Sequence, residues 1–355
     1  MPDAQTAEKR PERRKFAFGL QSSFCDGAVG WGVLDRLLED ERVEIEGFSG
    51  ASAGTSNGLS LAYGLTIGGR SGARETLERF WRTASQKVNT IAPMPPAGVV
   101  FGHGTLEFLP QYWAVETVAH LTSPYLWNPT NFNLMRHVFS EVIDFERLRR
   151  ESVVKIFVSA TDILGCKERI FTRESISVDA AVASTSVPLY LHPQYIEDRP
   201  YWDGGFVGAP RLQPLVEHCE AEDIIFLRTS PTERPRSTLP MTAFDIHERQ
   251  TELAVAVPVD QEVRHLNLVR KWIDEGRLRP GDGVRRVDIH VIDATSGTRD
   301  LPYSTKYQAD WGFLMHLRDH GRDIATCWLV DHFGSHAAAL RAGGTPPKGK
   351  ATAPA

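Results

Sequence analysis

The chain has 355 residues, 41% hydrophobic and 24% charged, a composition that excludes a fibrous repeat, a largely disordered chain and a disulfide miniprotein. Lys plus Arg total 40 against 45 for Asp plus Glu, a formal charge of -5. The broad basic field of a nucleic-acid binder is missing, so no nucleic-acid partner is expected. Cys25, Cys166, Cys219 and Cys327 are far apart, without CxxC or CxxH spacing; they read as isolated, half-buried thiols in a reducing compartment, and no metal site is expected. No apolar run reaches the roughly 18 residues of a membrane span, and residues 1 to 15 hold no signal-peptide core, so a cytoplasmic location is expected.

In chain order, residues 1 to 15 predict a disordered tail, 16 to 335 the ordered domain, and 336 to 355 a second tail rich in Gly, Pro, Ala and Lys. The first strand is predicted at Lys15 to Leu20, followed by a helix carrying Val29, Val33, Leu34, Leu37 and Leu38 at helical spacing. VEIEGFSG reads as a second strand, GASAGTSNGLSLAYGL begins a helix, and ARETLERFWRTASQ is an amphipathic one. Residues 91 to 130 are turn-rich and aromatic and are expected to be irregular, a lid over a site around Phe101, Trp113, Tyr125 and Trp127 or simply packed core. Strands follow at Val153 to Ala160, ERIFTR and Asp223 to Arg228, with a short helix near DAAVAS and another near PRLQPLVEHC. A long helix at 243 to 275, a strand in RRVDIHVI and a last helix at 310 to 333 complete the series. The alternation predicts an α/β layer with a mostly parallel sheet.

Two motifs carry chemistry. Residues Gly50 to Gly54, GASAG, fit GxSxG between an apolar strand and a helix. Gly50 and Gly54 permit a sharp turn, and the helix that follows aims its positive end at Ser52, favouring an alkoxide and the oxyanion formed on attack. Ser52 is the candidate nucleophile; the bland reading is a helix cap. The downstream histidines His247, His265, His290, His316, His320 and His332 mostly lie in charge-rich helical stretches, and none stands out as its base. Asp203 in YWDGGF does: Gly204 and Gly205 allow a tight turn, and a partly dehydrated carboxylate within reach of a serine can serve as the base. An ordinary Asp-Gly turn is the alternative.

The GxSxG elbow near the N-terminus, the DGG turn far downstream and the loop after the first strand together resemble the patatin-like phospholipases. The resemblance runs through FAFGLQ, GAVGWGVLDRLLED, IEGFSGASAG, DFERLRRESVVKIFVSATDILGCKERIFTR, AAVASTSVPLYL, PYWDGGFVGAP and ADWGFLMHLRDHGRDIATCWLVDHF. It implies a three-layer α/β/α sandwich and a lipid acyl hydrolase whose serine, Ser52, and aspartate, Asp203, work as a dyad through an acyl-enzyme, without a metal or other cofactor. The substrates it implies are phospholipids or other acyl lipids. The family's oxyanion loop is GGGxxG, commonly with a cation at the fifth position. Here the aligned residues are Ser22, Ser23, Phe24, Cys25, Asp26 and Gly27, leaving Ser22, Ser23, Phe24 and Gly27 as the backbone candidates.

Phe24 adds bulk where the loop should lie flat, and Asp26 sets a negative charge where a positive one is usual. Losing one oxyanion donor costs roughly 2.7 to 4 kcal/mol. The alternative to an active hydrolase is therefore an impaired relative that binds a lipid or a partner; a third reading is a Ser-His-Asp esterase using a downstream histidine. Ser22 and Ser23 could instead hold an equivalent turn by local hydrogen bonds. Peripheral membrane contact is compatible with the chain: Arg10, Arg13, Arg14 and Lys15 could assist at an anionic surface, although Glu8 and Glu12 among them suit a solvated tail better. Nothing in the chain specifies an oligomeric state.

Overall fold

Phe16 to Leu20 form an unbroken buried run because their strand, β1 (Arg14–Leu20), is covered on both faces. A computed structural model describes residues 13–21, 24–91, 106, 109–208, 210–234, 236, 239–281 and 283–334. β1 pairs in parallel with β2 (Val43–Gly50) on one side and β7 (Asp223–Arg228) on the other; β2 continues in parallel to β3 (Lys155–Asp162), and β7 to β8 (Asp288–Asp293). Beyond β3 the pairing becomes antiparallel, to β4 (Lys167–Thr172) and to β6 (Arg199–Asp203), which holds β5 (Gln194–Ile196) at the edge. The order is β5-β6-β3-β2-β1-β7-β8, with β4 also on β3.

The helices are α1 (Gly27–Leu37), α2 (Ala53–Ile91), α3 (Pro110–Leu121), α4 (Pro124–Trp127), α5 (Leu134–Val142), α6 (Phe145–Glu151), α7 (Val178–Ala183), α8 (Gln213–His218), α9 (Ala243–Asp274) and α10 (Trp311–Phe333). Strand periodicity sends successive side chains to opposite faces. Phe16, Phe18 and Leu20 enter one core with Val33 of α1, Phe80 of α2 and Phe313 of α10. Ala17, Ile224 and Phe226 enter a second core with Leu215 of α8 and Val259 of α9. Helices thus cover both sides of a mostly parallel sheet, the three-layer α/β/α sandwich expected from the sequence.

The two helices read after GASAG both form, within the span labelled α2, and meet at a non-helical break at Gly68 and Gly69, the latter at φ 60°. Two local expectations are corrected. Part of the stretch expected to be irregular is helical: Pro110 and Pro124 open α3 and α4, where a missing N–H costs nothing, rather than breaking them. The four thiols are unpaired, but Cys166 and Cys327 are exposed instead of half-buried. Cys166 sits in the turn between β3 and β4, and Cys327 lies off the buried stripe of α10. Phe101 and most of the two expected tails lie outside the described residues. Among those described, no helix is long and apolar enough to cross a membrane.

Candidate active site

β2 ends at Gly50 and α2 starts at Ala53, so the chain must reverse within two residues. Ser52 takes the strain, at φ 54°, a left-handed conformation uncommon for any residue but glycine. It is held from both sides: its amide donates to the Ser184 carbonyl at 2.9 Å, and its own carbonyl accepts from the Thr55 amide at 3.0 Å. The Thr55 and Ser184 hydroxyls meet at 2.7 Å beneath it. Gly54 is required for close approach, since a Cβ there would lie 2.0 Å from the Leu20 carbonyl oxygen of β1.

Asp203 reaches the same level from the other side of β3. Gly50 is paired with Val158, and Ala160 is paired with Asp203. Two residues past Gly50 the chain is therefore level with Ala160 and Asp203, although β6 runs antiparallel. The Asp203 amide donates to the Ser186 carbonyl at 2.9 Å, and its carbonyl accepts from the Thr161 hydroxyl at 2.7 Å. The segment Ser184 to Ser186 consequently ties both backbones to one strut. Gly204 is packed so closely that a Cβ would stand 2.2 Å from the Ser159 carbonyl oxygen.

Asp203 is 4% exposed. Its Oδ1 accepts from the Gly205 amide at 2.7 Å, while its buried Oδ2 has no hydrogen bond of ordinary geometry. Burial pushes the carboxyl up to about 6, against the Gly205 amide and the nearby Ser52 hydroxyl, which favour the carboxylate. The Ser52 hydroxyl is thus near enough to the Asp203 carboxyl to favour its charged form.

Ser52, Asp203 and Phe24 line one small cavity. Ser52 and Phe24 also border a larger cavity of about 350 Å³ whose walls include Phe80, Trp81, Val88, Met135, Leu191 and Leu314. Such a space suits an aliphatic chain. Among the described residues, no histidine lines either cavity. The aromatic stretch expected as a lid does not line the larger cavity in its described part, residues 109 to 130; it touches that wall through Glu116, which accepts from the Tyr190 hydroxyl.

Among the oxyanion-loop candidates, Ser22 and Ser23 lie outside the described residues. Phe24 adopts φ 47°, the left-handed conformation a glycine would supply, at a cost of about 1 kcal/mol. Its ring packs on Tyr307 at 4.8 Å between centroids. Gly27 is placed at the start of α1, where its carbonyl accepts from the Asn57 side chain at 2.8 Å. Asp26 does not face the Ser52 cavity as its sequence position suggested; it lines a separate recess with Arg234, Glu252 and Lys306. Burial and Glu252 push its carboxyl up to about 7, against Lys306 and Arg234.

A cation beside the loop does exist, contributed from far along the chain. Lys306 is buried, ion-paired with Glu248, 6.0 Å from the Phe24 ring centroid, and part of the wall of the 350 Å³ cavity. Tyr307 beside it lies 3.2 Å from both the Tyr190 hydroxyl and Glu248. None of these residues stands in a motif; the one available signal was KY inside a turn-rich stretch, with nothing to pair it with Phe24. The Ser184–Ser186 strut was visible only as small residues after DAAVA.

The model of the patatin-like phospholipase family matches residues 23–215, more than half of the sequence. No curated protein matches it. Among solved structures, the crystal structure of VipD from Legionella pneumophila is similar with a TM-score of 0.39 and 13% identity, over 87% of this chain and 67% of that one.

Proposed function

The chain belongs to the patatin-like phospholipase family, and on that premise we propose that it is a serine lipid acyl hydrolase in which Ser52 is the nucleophile and Asp203 the general base. Ser52 Oγ attacks the acyl carbonyl carbon while its proton passes to Asp203 Oδ2. The tetrahedral oxyanion collapses, the ester C–O bond breaks, and the alcohol leaves with that proton. A water then gives a proton to Asp203 and adds to the acyl-enzyme; the acid departs and Ser52 recovers its hydrogen. The positive end of α2 and the backbone amides beside Phe24 offer the oxyanion its donors.

The observation that carries this reading is the open Oδ2 of a buried, raised carboxyl in the same small cavity as a serine on a strained turn. Among the described residues, neither cavity that Ser52 borders is lined by a histidine, which favours the dyad over a triad. The left-handed Phe24 favours a working loop over an impaired one, because the glycine-like turn is kept despite its cost. Hydrolysis of short and long acyl nitrophenyl esters by the wild type, Ser52→Ala and Asp203→Asn tests the proposal. Loss in both variants is expected; turnover that survives Ser52→Ala refutes the nucleophile, and a silent wild type refutes the hydrolase.

A further inference from the structure

Between Leu109 and Met135 the only formally charged residue is Glu116. That residue is turned inward: Glu116 is 4% exposed, whereas Leu121 and Leu126 are 79% and 73% exposed. Asn128 is buried as well, and the Thr122 hydroxyl turns back onto the Val118 carbonyl, while Gln111, Thr117, Thr130 and Asn131 stay exposed beside the apolar groups. The Asn128 amide donates to the Phe132 carbonyl at 2.9 Å, and His192 Nε2 reaches the Pro124 and Asn128 carbonyls at 3.0 and 2.9 Å. A surface helix of a water-soluble protein normally does the reverse, with its apolar stripe inside. Val115, Val118, Tyr125, Trp127 and Phe132 extend the outward face, and Trp113 joins it to the start of α9 through Phe244 at 5.4 Å. Exposed Leu239, Met241 and Ile246 continue it there.

An apolar face of this extent, with no outward charge over residues 110–132, stands in water at a cost that contact with an apolar phase removes. Trp127 and Tyr125 are suited to the boundary of a lipid layer, being apolar with one polar handle. The inner side of the same segment holds Tyr190 through Glu116, and Tyr190 walls the cavity that Ser52 borders. We propose that the outer face of residues 110–132, with the start of α9, is the docking surface for a zwitterionic phospholipid layer. Its delivery of acyl ester to Ser52 rests on the hydrolase reading; the docking itself does not. With no Lys or Arg in the segment and a net charge of -5 on the chain, attraction to anionic lipid plays no part, and binding is insensitive to salt.

Flotation of full-length protein carrying Ser52→Ala tests this, using pure phosphatidylcholine vesicles and the same vesicles doped with phosphatidylserine, at low and high salt. Equal partition into both, unaffected by salt, is expected. Adding Leu121→Ser, Leu126→Ser and Trp127→Ser should lower partition about tenfold or more, while the same three changes with Ser52 intact leave hydrolysis of a soluble short-chain ester unchanged. Absence of partition, partition into anionic vesicles alone, or binding that survives the triple substitution overturns the proposal. So does a wild-type dimer that the substitutions dissociate, which would make the face a subunit interface. Because binding is read without Ser52 and hydrolysis without vesicles, failure of the docking surface and failure of the hydrolase reading are separable.

Discussion

Around Ser52 the chain is fixed by backbone contacts that leave no room for a methyl group, with Gly54 against Leu20 and Gly204 against Ser159. Residues 110–132 are fixed differently: side chains such as Glu116 and His192 hold them from within, and the apolar groups are left outside. On the proposed function, the contrast follows from what each region has to supply. Proton transfer from a hydroxyl to a carboxylate demands placement to within a fraction of an ångström, which backbone struts such as Ser184–Ser186 provide. A surface that meets lipid needs area and freedom from charge, not register. The two regions should accordingly respond to substitution in opposite ways.

The largest effect expected is at Ser52: Ser52→Ala should lower ester turnover on the order of 10⁴-fold or more, with thermal unfolding unchanged. Asp203→Asn should lower turnover by roughly 10² to 10⁴, yet stabilise the fold. Burial raises the folded carboxyl to about 6, above its unfolded value near 3.9, so the folded chain keeps a proton that the unfolded chain has lost. Stability of the wild type therefore falls as pH rises between those values, and the cost is constant above them. Urea unfolding at neutral pH should show Asp203→Asn more stable by about 3 kcal/mol, an advantage that vanishes in acid. The turnover of the wild type should move the other way, rising through pH about 6 as Asp203 becomes a base.

Gly54→Ala sets a methyl group against the Leu20 carbonyl and should cost about 3 kcal/mol, read as a lower urea midpoint. Tyr307→Phe keeps the ring on Phe24 but removes the hydroxyl near Tyr190 and Glu248, for about 1 kcal/mol in the same measurement. Leu121→Ser on the outer face of residues 110–132 should change stability by less than about 0.5 kcal/mol. A variant there as damaging as Gly54→Ala would erase the distinction between the two regions.

The elbow and the sheet were legible because they depend on local pattern. GASAG between a strand and a helix, and the apolar runs Lys15 to Leu20 and Asp223 to Arg228, announce themselves without knowledge of the rest of the chain. The helices within 110–127 were not, because proline was read as punctuation when it stood at helix starts, and because the segment's apolar residues face outward. Asp26 misled for another reason. Its place in the loop was legible, but its surroundings, Arg234 and Lys306, arrive through tertiary packing from distant stretches with no motif. Lys306 stayed hidden on the same ground: a lone lysine in a turn-rich stretch gives no sign that it will be buried.

The most direct test of the central claim is the rate of covalent labelling by a fluorophosphonate on either side of pH about 6, with the adduct located by peptide mass spectrometry. A single adduct on Ser52, formed faster as the pH passes that value and slowed by Asp203→Asn, is the expected result. Labelling at another residue, or a Ser52 rate indifferent to both pH and Asp203, would contradict the dyad.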